Sequence, residues 1–243
     1  MSSRSDTNGR RGTLSPVGTH VIVLPGGGYA QHVAHEGEPI VGWLNGLGVR
    51  ASVFRYPLMV RHPEPLDALR AEIRRLRDRG AERIGLVGFS AGGHLAGLAA
   101  LAPGADPGEG IDFAVLGYAI TSMETETYRP ARLILLGDDA TPELRRATSL
   151  DALVTQSSPP FFLWHTAEDT YVPPEHTYRL AASLAAHGVP HTAHVFAHGP
   201  HSLGLAQGNG DAAAWTTLAA SWITEQQRRA GVRDHAGRDV RRR

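Results

Sequence analysis

The sequence contains no cysteine and no lysine, and no apolar segment in it is long enough to cross a bilayer. The lack of cysteine excludes disulfides, thiolate metal sites and a cysteine nucleophile. The lack of lysine excludes the phosphate-binding loop that ends in Gly-Lys-Ser/Thr. The basic residues are all arginine, and Lys+Arg (24) equal Asp+Glu (24), so the net charge of zero does not indicate a nucleic-acid partner. We therefore expect no nucleic-acid partner and no membrane partner.

The length and composition favour one large domain. The chain has 243 residues, of which 42% are hydrophobic, and this is enough to bury a substantial core. Residues 1–18 are polar and lack the apolar segment of a signal peptide, so we predict a disordered leader and a cytoplasmic protein. Residues 231–243 are rich in arginine and have no hydrophobic period, which predicts a disordered basic tail. The domain itself is predicted to span residues 19–230.

Short apolar segments alternate with amphipathic segments along this domain. Strands are predicted at residues 20–24, 49–56, 84–89, 113–119, 161–165 and 192–196, and the longer helices at residues 39–47, 66–79, 91–101, 174–187 and 212–229. This alternation predicts an α/β fold with a doubly wound, mostly parallel sheet that helices cover on both faces. Active sites of such folds lie at the carboxyl ends of the strands, so the loops after the strands should carry the chemistry.

A Gly-x-Ser-x-Gly motif, residues 88–92, joins an apolar strand to a helix rich in small residues. In this motif the serine, Ser90, stands on a tight turn with its Oγ exposed, and the N–H of the next residue, Ala91, faces the substrate oxygen. The alternative is a glycine-rich turn with a capping serine. The position between a strand and a helix favours a nucleophile.

Three consecutive glycines, within the sequence Pro-Gly-Gly-Gly-Tyr at residues 25–29, follow the first predicted strand. Glycines without side chains let backbone N–H groups point into a cavity, which is what a developing oxyanion requires. A dinucleotide-binding Gly-x-Gly-x-x-Gly pattern is not present, because Gln31 takes the place of its last glycine. A merely flexible turn is the alternative.

Two later loops supply candidates for an acid and a base. Glu168 and Asp169 follow the strand at 161–165, and His198 and His201 follow the last strand. Hydrolases of this fold carry serine, then aspartate or glutamate, then histidine in this order along the chain. From the residues alone, either acid and either histidine remain candidates.

Neither a metal site nor a cofactor is predicted. Five histidines between residues 187 and 201 have helical spacing, but Pro190 and the Gly199-Pro200 pair would break that helix. His94 is predicted to pack or to form hydrogen bonds. Glu36 precedes a helix that starts at Pro39, where acidic residues suit the helix dipole, and a role in holding the glycine-rich loop is the alternative.

Six segments of the sequence resemble the α/β-hydrolase superfamily, and more closely its acetyl-xylan-esterase-like and feruloyl/acetyl-esterase-like carboxylesterases. These segments are PGGGY, HEGEPIVGWLNGLG, FRYPL, GFSAGGHLA, HTAEDTYVP and GPHSLGLA. The resemblance implies an α/β-hydrolase fold in which Ser90 is the nucleophile, His201 the general base and Asp169 the acid that orients the base.

The resemblance also implies an oxyanion hole made by the backbone N–H groups of Gly27, Gly28 and Ala91. The sequence departs from the family pattern at Ser202, because the family usually has glycine directly after the catalytic histidine. The family also has more chain before its glycine-rich loop, so we expect the sheet to lack one or two N-terminal strands. The connection between residues 119 and 161 is too short for a cap domain.

The predicted function is that of a serine carboxylesterase for short acyl esters, above all acetyl esters, of carbohydrates such as xylo-oligosaccharides. Its partner would be a small-molecule ester. Tyr29, Tyr171 and Leu203 lie beside the three loops in the sequence and are predicted to line the substrate entrance. The alternatives are a serine peptidase of the prolyl-oligopeptidase type and a hydrolase-fold binding module without catalysis.

Overall fold

The computed structural model describes residues 18–240, which form one sheet and its covering helices. The strands are β1 (Thr19–Leu24), β2 (Arg50–Val53), β3 (Arg83–Phe89), β4 (Phe113–Gly117), β5 (Phe161–Thr166) and β6 (His191–Phe196). The helices are α1 (Glu38–Gly46), α2 (Glu64–Asp78), α3 (Ser90–Leu101), α4 (Arg129–Leu136), α5 (Pro142–Ala147), α6 (Leu150–Leu153), α7 (Glu175–Ala186) and α8 (Trp215–Val240). Short 3-10 helices lie at Ala34–Glu36, Pro107–Glu109 and Gly210–Ala214.

The six strands pair in the order β2-β1-β3-β4-β5-β6, and all five pairings are parallel. The chain first adds β2 on one side of β1 and then returns to add β3 on the other side, so the winding direction reverses between β1 and β3. A crevice forms at the carboxyl ends of two strands where the direction reverses in this way. The predicted doubly wound parallel sheet is confirmed.

Two hydrophobic cores cover the two faces of the sheet. On β1, Ile22 and Leu24 point into the core that is shared with α2, α3 and α7. Val21 and Val23 point into the opposite core, which is shared with α1 and α8. All four side chains are fully buried, and each such burial stabilises the fold by about 1.5–3 kcal/mol. The alternation of the side chains explains why an apolar strand with helices on both faces forms here.

Some bounds differ from the sequence prediction. The second strand ends at Val53 rather than at residue 56, and three short helices, α4 to α6, connect β4 and β5. No cap domain stands in this connection among the described residues. The predicted tail at 231–243 differs as well, because α8 continues through Val240 and no proline in this stretch stops it. The leader predicted at 1–18, except Gly18, and residues 241–243 lie outside the described residues.

None of the helices between residues 18 and 240 is both long and apolar enough to cross a membrane.

A buried histidine on α3 connects the helix to two loops. The Nε2 atom of His94 lies 2.8 Å from the carbonyl oxygen of Thr148, which can only accept, so Nε2 carries the proton. The Nδ1 atom therefore accepts from the hydroxyl of Tyr29 at 2.7 Å. Burial lowers the pKa of His94 from 6.5 to about 4.

His176 is held in a similar way. Its Nδ1 atom accepts from the backbone N–H of Thr121 at 2.9 Å, and its Nε2 atom donates to the carbonyl oxygen of Glu126 at 2.9 Å. Burial lowers the pKa of His176 from 6.5 to about 4. Both imidazoles are therefore neutral in the folded protein at pH 7.

The lowered pKa values of His94 and His176 predict that the free energy of unfolding falls in mild acid. Because their folded pKa values lie below the unfolded value, the unfolded chain binds more protons, and stability falls as the pH drops from about 6.5 towards 4. At pH 5, each histidine should cost about 2 kcal/mol of unfolding free energy relative to pH 7. The variant His94→Gln keeps a donor and an acceptor but does not titrate, so it should lose about 2 kcal/mol less between these pH values. Urea unfolding at pH 7 and pH 5 measures this, and equal losses in the variant and the wild type would contradict it.

Candidate active site

The turn between β3 and α3 presents Ser90 at the crevice. The φ angle of Ser90 is 51°, in the left-handed region that side chains rarely adopt. A Cβ atom on Gly92 would overlap the carbonyl oxygens of Leu24 and Pro25, and one on Gly88 would lie 2.5 Å from the carbonyl oxygen of Gly92. Both positions therefore require glycine, because the backbone at Gly92 packs on the end of β1 and the backbone at Gly88 packs on the first turn of α3.

Three side chains from different loops form one chain of hydrogen bonds. The Nδ1 atom of His201 lies 2.6 Å from Oδ2 of Asp169, and a carboxylate only accepts, so Nδ1 carries the proton. The Nε2 atom of His201 is then an acceptor and lies 2.9 Å from the Oγ atom of Ser90. The structure thus brings together the serine, the imidazole and the acid for which the sequence predicts these roles.

The carboxylate of Asp169 is buried and held by four donors. Its Oδ1 atom accepts hydrogen bonds from the N–H groups of Tyr171 and Val172, both at 2.9 Å. Its Oδ2 atom lies 3.2 Å from Nε2 of His165 and 2.6 Å from Nδ1 of His201. Burial alone would raise the pKa of Asp169, but the hydrogen bonds from His165 and His201 outweigh it and hold this pKa well below its usual range. The acid is therefore ionised and fixed in orientation.

The second acid and the second histidine lie apart from Ser90 and pair with each other. The carboxylate of Glu168 accepts from Nδ1 of His198 at 2.9 Å and from the N–H of Gly199 at 3.0 Å. Both side chains are exposed at the surface. This pairing leaves Asp169 and His201 as the acid and the histidine that reach the serine.

The glycine-rich loop directs backbone N–H groups outwards. The carbonyl oxygen of Gly26 accepts from Val33 at 3.1 Å, and that of Gly27 accepts from Ala30 at 3.1 Å. In a planar trans peptide, the N–H points opposite to the preceding carbonyl, so the N–H groups of Gly27 and Gly28 point away from the body of the loop. Among residues 18–240, no acceptor takes a hydrogen bond from either group.

The glycine-rich loop lies against the serine. A Cβ atom on Gly26 would lie 3.0 Å from the Cβ atom of Ser90, so the loop packs directly on the serine. The N–H of Ala91 belongs to the first turn of α3, where N–H groups have no partner within the helix and carry partial positive charge. The arrangement can therefore stabilise a negative oxygen beside Ser90.

A buried glutamate connects the loops around the site. Glu36 is 0% exposed, and its Oε2 atom accepts the N–H of Gly26 at 2.7 Å. Its Oε1 atom accepts the hydroxyl groups of Tyr118 at 2.8 Å and Ser202 at 2.7 Å. The sequence named Glu36 only as an alternative holder of the glycine-rich loop, and the contact to Gly26 agrees with that alternative.

Two exposed tyrosines stand at the entrance. Tyr171 is 58% exposed, and its ring lies 5.7 Å from the ring of His201. Tyr128 is 36% exposed, lies 5.7 Å from the ring of Tyr171, and would be 3.0 Å from a Cβ atom on Gly28. No sequence signal marks Tyr128, because this residue lies in the connection between β4 and β5, far from any motif.

Of the other two residues predicted at the entrance, Tyr29 lies away from it, and the place of Leu203 stays a prediction. Tyr29 is 0% exposed, and its ring packs beneath the loop against Tyr56 and His94, so it offers no surface to a substrate. Buried packing and a hydrogen-bond partner for its hydroxyl outweigh its closeness to the motif in the sequence. Leu203 is partly buried and packs on the core that contains Trp215.

One histidine at the site, His165, was not among the residues predicted from the sequence. His165 lies four residues before Asp169, and its Nε2 atom contacts Oδ2 of Asp169, the oxygen that His201 also contacts. The same Nε2 atom lies 2.9 Å from the carbonyl oxygen of Val172. The only sequence signal was its position at the end of an apolar strand that leads into the acid loop.

A parallel sheet with a nucleophile turn after β3, an acid after β5 and a histidine after β6 defines an α/β hydrolase. Comparison with known proteins agrees with this class. The model of the prolyl oligopeptidase family matches residues 68–229, and the chain belongs to this family.

Solved structures and a curated sequence resemble the chain closely. The acetyl ester-xyloside bifunctional hydrolase from Caldicellulosiruptor lactoaceticus is 35% identical with a TM-score of 0.81, over 88% of this chain and 84% of that one. The carboxylesterase Cest-2923 from Lactobacillus plantarum WCFS1 is 30% identical with a TM-score of 0.75, over 86% of each chain. The acetylxylan esterase of Xylanibacter ruminicola is 26% identical over 65% of this chain and 35% of that protein. The chain spans about a third of the length of the curated relatives that it matches.

The backbone contact under the serine turn predicts that alanine substitutions at two glycines, Gly92 and Gly42, change the stability of the protein in opposite directions. Gly92→Ala should lower the unfolding free energy by about 3 kcal/mol, because its Cβ would meet backbone atoms that cannot move aside. Gly42→Ala is the matched control. Gly42 is exposed on α1, and an added Cβ atom would have nothing within 4 Å, so this substitution should raise the unfolding free energy by about 1 kcal/mol. Urea unfolding measures both, and similar effects would contradict the packing.

Proposed function

We propose that this protein is a serine carboxylesterase in which Ser90 attacks the ester carbonyl. The observation that supports it best is the unbroken chain of hydrogen bonds from Ser90 through His201 to the buried carboxylate of Asp169. A serine hydroxyl is a weak nucleophile by itself, and an adjacent neutral imidazole is the group that activates it.

In the first step, Oγ of Ser90 bonds to the carbonyl carbon, and its proton passes to Nε2 of His201. Asp169 stays ionised and stabilises the imidazolium through the Nδ1–H hydrogen bond. The electron pair of the carbonyl moves to the oxygen, which accepts hydrogen bonds from the backbone in the loop after β1 and from Ala91. Removal of one such donor typically lowers kcat by about 10²–10³-fold.

In the second step, the bond between the acyl carbon and the alcohol oxygen breaks, and His201 gives its proton to the leaving alcohol. An acyl group then remains on Ser90. Water attacks this acyl-enzyme with His201 again as the base, and the carboxylic acid leaves. The serine hydroxyl is restored, so no cofactor is consumed.

The alcohol part of the substrate is proposed to be a sugar. The leaving oxygen must lie next to His201, and the exposed ring of Tyr171 lies beside that imidazole, with Tyr128 next to it. Exposed aromatic faces pack well against the C–H groups of a sugar ring. The similarity to an acetyl ester-xyloside hydrolase and to an acetylxylan esterase favours acetyl groups on xylo-oligosaccharides.

Cleavage of a peptide bond is the second candidate, because the matching family is that of prolyl oligopeptidase. The same three side chains would serve an amide substrate. The similarity to named esterases over more than four fifths of each chain favours the ester.

Replacement of the nucleophile tests the proposed chemistry. Ser90→Ala should lower kcat for p-nitrophenyl acetate about 10⁴-fold or more, and it should abolish covalent labelling by a fluorophosphonate. Ser221→Ala, a change at an exposed serine on α8, is the control and should keep full activity and labelling. Unlabelled wild-type protein would favour a binding module. Faster cleavage of a prolyl amide than of any ester would favour the peptidase.

Replacement of Tyr171 and Tyr128 tests whether these rings bind the sugar part of the substrate. Tyr171→Ala and Tyr128→Ala should each lower kcat/KM for an acetylated xylobioside about tenfold, the factor that corresponds to roughly 1.4 kcal/mol of lost contact. Activity on methyl acetate should change little, because methanol is too small to reach the rings. Tyr178→Ala removes an equally exposed ring on α7 and is the control. Equal losses on both esters would contradict a sugar subsite.

A further inference from the structure

We propose that Glu36 is a positioning residue that holds the glycine-rich loop and the loop of His201 in one fixed relation, with Ser202 as its contact on the histidine side. We call the set of Glu36, Gly26, Tyr118 and Ser202 the carboxylate clamp. The inference about catalysis rests on the proposed function, and a measurement that needs no activity accompanies it.

The clamp joins three loops that come from three different strands. Gly26 follows β1, Tyr118 follows β4, and Ser202 follows β6, and each donates one hydrogen bond of 2.7 to 2.8 Å to the same carboxylate. A carboxylate only accepts, so it satisfies three donors at once in a place that water does not reach. An amide at this place would turn an N–H₂ group towards one of these donors.

On the oxyanion side, the clamp fixes the peptide that precedes the two free N–H groups. Glu36 takes the N–H of Gly26, and the carbonyl of Gly26 accepts from Val33 at 3.1 Å. The two bonds fix the peptide groups on either side of the Cα atom of Gly26, and the second of these planar groups contains the N–H of Gly27. The same contact excludes the N–H of Gly26 from binding an oxyanion.

On the histidine side, the clamp holds a strained residue. Ser202 directly follows His201 and has a φ angle of 65°, a conformation that glycine adopts freely and serine does not. Its hydroxyl donates to Glu36 at 2.7 Å, and its carbonyl oxygen accepts from Nε2 of His35 at 2.8 Å. Glu36 thus holds the side chain of Ser202, and its neighbour His35 holds the backbone of Ser202.

Tyr118 provides the third contact to the histidine loop. Its hydroxyl donates to Glu36 and accepts the N–H of Gly204 at 2.9 Å. Its ring lies 5.0 Å from the ring of His201 at an angle of 69°. The clamp therefore reaches both the imidazole itself and the backbone that carries it.

This geometry predicts an effect on the transition state rather than on binding. The oxyanion donors and the imidazole must both be placed within a fraction of an ångström when the serine attacks. The clamp touches neither exposed tyrosine at the entrance, so the ground-state ester should bind as before. Loss of the clamp should lower kcat and leave KM nearly unchanged.

The kinetic experiment compares four variants on p-nitrophenyl acetate. Glu36→Gln should lower kcat about 10²-fold, the effect of one misplaced oxyanion donor, with KM within about twofold. Ser202→Ala and Ser202→Gly should lower kcat about fivefold, and the combination of Ser202→Ala with Glu36→Gln should be no slower than Glu36→Gln alone. Glu38→Gln, at an exposed glutamate two residues away, is the control. Unchanged kcat in Glu36→Gln and Ser202→Gly would overturn the clamp, as would multiplicative losses in the double variant.

The second experiment is independent of any enzymatic activity and uses Ser202→Gly, whose backbone conformation suits glycine. Hydrogen exchange followed by mass spectrometry should show faster exchange not only around Ser202 but also in the glycine-rich loop, at the N–H of Gly26 that Glu36 accepts. Ser221→Ala should change neither segment. Faster exchange confined to the histidine loop would overturn the clamp. A wild-type protein that hydrolyses no ester and takes no phosphonate label would refute the proposed function, and this exchange result would still decide on the clamp.

Discussion

The contact of one glycine with the end of the first strand is the constraint on which the whole site depends. No side chain separates Gly92 from the carbonyl oxygens of Leu24 and Pro25, so the serine turn and the glycine-rich loop meet at backbone distance. This contact is possible because the winding of the sheet reverses between β1 and β3 and leaves both loops at one crevice. The hydroxyl of Ser90 and the free N–H groups of the glycine-rich loop then belong to one crevice, as the proposed cleavage of an ester requires.

Two buried carboxylates organise the rest of the site. Asp169 collects two backbone N–H groups and two imidazoles, and Glu36 collects one backbone N–H and two hydroxyl groups. A buried charge is costly unless donors surround it. Distant loops provide one of the donors to Asp169, from His201, and two of the donors to Glu36, from Tyr118 and Ser202. Each carboxylate therefore connects loops that follow different strands.

The fold and the meeting of the three polar side chains could be predicted from the sequence because the signals are local. An apolar strand, the motif at Ser90 and the order serine, acid, histidine place the three loops together once parallel strands bring their carboxyl ends to one edge. The choice of Asp169 and His201 over their neighbours came from the family resemblance. The orientation of a neighbouring side chain is not local. Tyr29 turns inwards to reach His94, whereas Tyr128 reaches Gly28 from a connection without any motif, and only tertiary packing decides such cases.

The most direct test of the account is a crystal structure of the protein after reaction with a small phosphonate ester. The phosphorus should be bonded to Oγ of Ser90, and the phosphoryl oxygen should lie about 3 Å from the N–H groups of Ala91 and of Gly27 or Gly28. A phosphonate bonded to another residue, or a phosphoryl oxygen that faces away from the glycine-rich loop, would contradict the central claim that this loop and the serine turn form one catalytic centre.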